Sequence, residues 1–144
     1  MPAEPREVWG DLPASAFIGA SVLFKTLDDQ TRADLVKLAR LESFGPDEVV
    51  GPDGEGDLFL VREGKGVVTV LAEGRSVEAA TVERGAFFGA MIAEPGSPEV
   101  VRALGRLEVI RFPGPMIAAL AERFPRVGKL LEALRSARLK AGTG

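Results

Sequence analysis

The chain has 144 residues, 46% hydrophobic and 27% charged, with a net charge of −3, which suits one soluble globular domain and argues against a general nucleic-acid binder. It contains no cysteine and no histidine, so disulfides, thiolate nucleophiles and the commonest general base and metal ligand are excluded. No apolar run is long enough to span a bilayer and residues 1–13 lack a signal-peptide core, so the expected compartment is the cytoplasm, with no membrane.

Residues 1–13, rich in proline and charge, read as an extended N-terminal arm with Trp9 as its anchor, leaving 14–144 as a single domain. Phe17, Val22, Leu23 and Phe24 give 14–27 a helical spacing. Asp28 or Asp29 can cap a second helix over 30–40, whose buried face is marked by Leu35, Val36, Leu38 and Ala39. From residue 41 the punctuation changes. Short strands are predicted at 41–44, 48–51, 58–62, 66–71, 77–82, 87–88, 100–104 and 107–111, separated by glycine-rich turns. Many short strands at this spacing indicate a sandwich or barrel of the jelly-roll kind. Gly51, Gly64, Gly74, Gly85 and Gly89 are expected to serve the fold. The alternation Asp53, Glu55, Asp57 is the one all-oxygen candidate for a metal and reads as a solvated turn, so no metal is expected.

Helical spacing returns over 116–124, with Pro115 in the first turn, and Pro125 opens a last helix over 126–140. Val127, Leu130, Leu131, Leu134 and Ala137 fall on one stripe of it. That stripe either packs on the chain's own strands or receives a protein partner or a second copy. Residues 121–144 carry Arg123, Arg126, Lys129, Arg135, Arg138 and Lys140 against Glu122 and Glu132, a balance of +4 that leaves −7 for the rest. This is a solvated basic face or the complement of an acidic partner.

The most informative stretch is 84–104, RGAFFGAMIAEPGSPEVVRAL. Gly85 leads into Phe87-Phe88, Gly89 follows, 90–93 can form one helical turn, and 94–98 bends the chain back into a strand. Amides at the start of such a turn have no intrahelical partner and suit an anion. Gly85, Phe87, Phe88, Gly89, the apolar Met91 and Ile92, and Gly96-Ser97-Pro98 resemble the phosphate-binding cassette of the cyclic nucleotide-binding domain family. The segment from Gly56-Asp57 to Gly64 is similar to a second motif of that family, its glycine-aspartate strand.

The resemblance covers about 23–139 and implies an α+β fold. In it an eight-stranded antiparallel β-roll (41–112, jelly-roll-like) is flanked by N-terminal helices (14–40) and a C-terminal helix pair (115–140). It also implies a ligand pocket, here vestigial, at Gly85, Phe88, Gly89, Ala90, Met91, Ile92, Ser97, Glu99 and Arg102, and a partner or dimer helix carrying Val127, Leu130, Leu131 and Leu134. Two charged positions depart from the family. Its ribose-binding glutamate falls on Ala90. Its phosphate-clamping arginine falls on Glu99 or, aligned from Val101-Arg102-Ala103-Leu104, on Ser97. An Arg–phosphate pair is bidentate and charge-assisted, and a carboxylate in its place repels phosphate. The hollow is therefore expected to hold no positive side chain.

The expected function is a non-catalytic regulatory or signalling module without a cofactor, unable to bind cAMP or cGMP in the family's usual way and acting through protein contacts. The alternative is a sensory domain that takes a cyclic nucleotide or related ligand by other contacts, with Arg102 turned inward. An enzyme is disfavoured, since no paired carboxylates or Ser–Lys spacing stands out. The family's transcription factors continue into a helix-turn-helix, for which a chain ending at Gly144 leaves no room, so no DNA-binding domain is expected.

Overall fold

In the structure of the protein, a computed structural model describing residues 18, 21–50, 57–72, 74–89 and 99–143 (side chains of 71, 72 and 139–143 excepted), the chain enters through turns. The helix expected over 14–27 is not continuous where it is described: 21–27 form turns, with the N–H of Ser21 donating to Ile18 O and that of Leu27 to Phe24 O. The Ser21 hydroxyl also donates to Ile18 O at 2.6 Å, the local side-chain-to-backbone competition that makes serine a poor helix interior. Leu23 and Phe24 are fully buried all the same. The expected arm over 1–13, Trp9 and Gly51 lie outside the described residues.

Helix α1 spans Asp29–Leu38. Asp28 caps it, its carboxylate accepting the N–H of Thr31 at 2.7 Å. Ala39 turns extended, with φ −78° and ψ 157°, so the predicted helix stops early and Arg40 joins the first strand. Thr31, Leu35 and Ala39 fall at i, i+4 spacing on the buried side, while Leu38, expected there, is 54% exposed. The Thr31 hydrogen bonds, backbone first, hold the Asp28 carboxyl below its ordinary pKa of 3.8. A depressed carboxylate stabilises the fold above its unfolded pKa and loses that contribution as pH falls through the folded value. The gap in urea midpoint between wild type and Asp28→Ala will therefore be full at neutral pH and close in acid; a gap that widens in acid would refute the cap.

Eight strands follow: β1 Arg40–Phe44, β2 Val49–Val50, β3 Leu58–Glu63, β4 Lys65–Ala72, β5 Arg75–Glu83, β6 Phe87–Gly89, β7 Glu99–Ala103 and β8 Leu107–Phe112. They form two antiparallel four-stranded sheets, ordered β1-β8-β3-β6 and β2-β7-β4-β5, an open sandwich and not a closed barrel. One core lies between the sheets, with Phe59, Val61, Val68, Val101 and Val109. The other lies between the first sheet and the helices, with Leu58, Leu60, Ile110, Phe112 and Leu35. The first sheet is thus covered on both faces, which is why β3 and β8 read as apolar runs rather than alternations.

Helix α2 spans Gly114–Arg123 and helix α3 Pro125–Thr143. Pro113, at the N-cap of α2, has no side chain able to cap. Asp57 does this from across the chain, accepting the Gly114 N–H at 3.0 Å on one oxygen and Arg111 Nε at 2.5 Å on the other. Asp57 is buried, so reading it as part of a solvated turn is corrected; Asp53 and Glu55 lie outside the described residues. Among the described residues no helix is long and apolar enough to cross a membrane.

Candidate functional site

The two phenylalanines of strand β6 serve different cores. Pairing with β3 sets Leu60 opposite Phe87, Phe59 opposite Phe88 and Leu58 opposite Gly89. Adjacent strand residues point to opposite faces. Phe87 meets Phe24 edge-on in the helical core, and Phe88 stacks on Phe59 between the sheets at 4.9 Å. Gly85 turns the chain into this strand with φ +91°. Gly89 ends it with φ +122°, lying so close to β3 that an added Cβ would stand 2.5 Å from Asp57 O.

Gly89 then offers its N–H to a side chain. The acceptor is Glu99 Oε1 at 3.1 Å, from the first residue of β7. The Glu99 side chain has no solvent exposure, and its other oxygen, Oε2, lies 2.6 Å from Nη1 of Arg138 on α3. That contact is a close ion pair without the alignment of a hydrogen bond. The second terminal nitrogen of Arg138 donates to Phe87 O at 2.8 Å. One carboxylate thereby joins the end of β6, the start of β7 and the C-terminal helix. Beside the pair is a cleft of about 210 Å3 between β5, the β5–β6 turn and α3, walled by Val22, Val82, Phe87, Leu134 and Ala137 as well as Arg138.

The predicted pocket residues are distributed as follows. Gly89 and Glu99 are brought together, with Gly85 and Phe88 as supports of the strand between them. Arg102 does not turn inward. It pairs with Asp47 at 3.1 Å on the outer side of its sheet, with a side chain 41% exposed. Ala90, Met91, Ile92 and Ser97 lie outside the described residues. Of the helix stripe, Val127 and Leu131 are buried in the chain's own core, whereas Leu130 and Leu134 pack against it and stay partly exposed.

The expectation of a hollow without a positive side chain is overturned, because the Arg138 guanidinium stands there. Reading Arg138 only as one of the basic residues of the tail missed it, although it sits four residues after Leu134 and seven after Leu131 and so continues the buried stripe. Ala137, placed on that stripe by spacing, is exposed instead. Asp57 was the other residue missed.

No family model matches the chain, and no curated protein matches its sequence. Solved structures do match. A CooA variant from Carboxydothermus hydrogenoformans superposes with TM-score 0.60 at 17% identity, over 86% of this chain and 82% of that one. The regulatory domain of Toxoplasma gondii PKA, crystallised with cAMP, gives 0.63 at 20%, over 94% and 50%. Thermus thermophilus catabolite activator protein gives 0.63 at 22%, over 82% and 58%. At these identities the likeness is one of fold.

Proposed function

We propose that this chain, which has the fold of cyclic nucleotide-binding proteins, is a non-catalytic regulatory module that does not take cAMP or cGMP in the usual way of that fold and works through protein contacts. One observation carries the reading: the buried Glu99 carboxylate accepts the Gly89 amide and is paired with Arg138. By resemblance, that amide opens the cassette, and the clamping arginine falls on Glu99 or on Ser97. The Gly89 amide and Arg138 are both committed to an internal anion, so an incoming phosphate diester would meet like charge there. The support has shifted from a missing cation to a cation already matched. The chain has no histidine or cysteine, and Glu99 is tied into an ion pair, so among the described residues the site holds no poised acid, base or nucleophile. Leu130 and Leu134 are the part of the α3 stripe left for a partner or a second copy.

The cleft beside Arg138 favours a second reading, a sensory domain that accepts a small ligand by other contacts; Arg138 then takes the part expected of Arg102. Calorimetric titration separates the two. Neither cAMP nor cGMP should give heat up to millimolar concentration, and micromolar binding of either overturns the first reading.

A further inference from the structure

Glu99 is an unusual buried acid in this chain: its carboxylate is held by groups from two other elements, one of which is the last helix. We propose that the Gly89 N–H and the Arg138 guanidinium form a carboxylate site whose resident ligand is the Glu99 side chain, and that its occupation latches the last turns of α3 onto the sandwich. Three facts converge on it. The Glu99 side chain is wholly buried and its Oε2 contacts Arg138 Nη1 at 2.6 Å, while neither of these atoms has an aligned hydrogen-bond partner. Arg138 is itself only 13% exposed and also holds Phe87 O, so it contacts β6 as well as the acid on β7. Among the described side chains between Leu131 and Arg138, the apolar packing thins to the partly exposed Leu134, with Ala133, Ser136 and Ala137 exposed. Arg138 ties that segment to a wholly buried group of the sandwich.

The ligand chemistry is that of a carboxylate: one oxygen for a backbone amide, the other for a guanidinium. Releasing the acid frees the α3 segment and opens the wall of the cleft formed by Leu134, Ala137 and Arg138. This deepens the proposed function by naming how the site is regulated, yet it is decided separately: nucleotide titration tests that reading, and hydrogen exchange in α3 tests this one.

Amide exchange by mass spectrometry would be followed in the intact chain for wild type, Glu99→Ala, Glu99→Gln and Arg138→Ala. Exchange over 134–143 should accelerate about tenfold or more in the alanine variants, while β3 and β8 remain protected. Tens of millimolar acetate should restore slow exchange in Glu99→Ala but not in Arg138→Ala, and sodium chloride at equal ionic strength should restore neither. Should Glu99→Ala fail to fold, Glu99→Gln retains the volume and one acceptor and must still accelerate the same segment. Unchanged exchange over 134–143 in folded Arg138→Ala, or acetate without effect on folded Glu99→Ala, overturns the proposal.

Discussion

Replacing Arg138 by methionine will lower the free energy of unfolding by about 3–5 kcal/mol, the cost of leaving one member of a buried ion pair without its partner. Methionine keeps most of the aliphatic length, so the loss reports charge and not packing. Glu99 would retain the Gly89 amide on one oxygen, but Oε2 would face a site with no solvent and no cation. Removing both charges together is a different experiment. Glu99→Leu with Arg138→Met leaves no buried charge, and such replacements are often neutral or stabilising. The double variant will recover part of that loss, limited by about 1–3 kcal/mol for the Gly89 N–H newly left without a partner, Phe87 O being already released in Arg138→Met. Urea unfolding of the four proteins closes the cycle. A coupling energy near zero around the cycle would falsify the pairing.

That cycle probes what was hardest to read beforehand. All eight strands were legible, with ends displaced by no more than two residues, because apolar or alternating runs lie between glycine- or proline-bearing turns through most of this region. The same punctuation left sandwich and barrel both open, and the strand order is that of two sheets. Leu38 and the turns at 21–27 were misread for a shared reason: apolar spacing says a helix can form, not that its full length is wanted. At Ser21 a hydroxyl competes for the backbone, and at Leu38 the packed line runs through Thr31, Leu35 and Ala39. Glu99 was singled out for its charge, but its meaning was half legible. A negative side chain can exclude an anion, or it can be the anion. Which holds depends on Arg138, which reaches it from the last helix, 39 residues further along the chain. Long basic side chains are ordinarily assigned to solvent, and only position on the α3 stripe distinguished this one. Asp57 was obscured likewise, since its partners Arg111 and Gly114 come together only once β3 and β8 pair.

Gly89→Ala is expected to cost far more than Gly85→Ala, although both glycines have positive φ. At Gly85 an added methyl meets nothing within 4 Å, so the change carries only the left-handed backbone penalty of about 1–2 kcal/mol. At Gly89 the φ of +122° is worse for a side chain, and the methyl would lie 2.5 Å from Asp57 O and 3.2 Å from the Phe59 ring. Backbone cannot yield there cheaply, because the Asp57 carboxylate caps α2 and holds Arg111. Strain of roughly 1–3 kcal/mol and the forced separation of β6 from β3 together put the cost near 4 kcal/mol. Chemical denaturation of the two alanine variants measures the difference, and equal losses would mean that β6 can leave β3 without penalty. The result bears on function as well as on fold, since the same residue supplies the amide that Glu99 accepts. A glycine needed for close strand packing thereby also fixes where the carboxylate must sit, and the fold and the candidate site cannot be altered independently at this position.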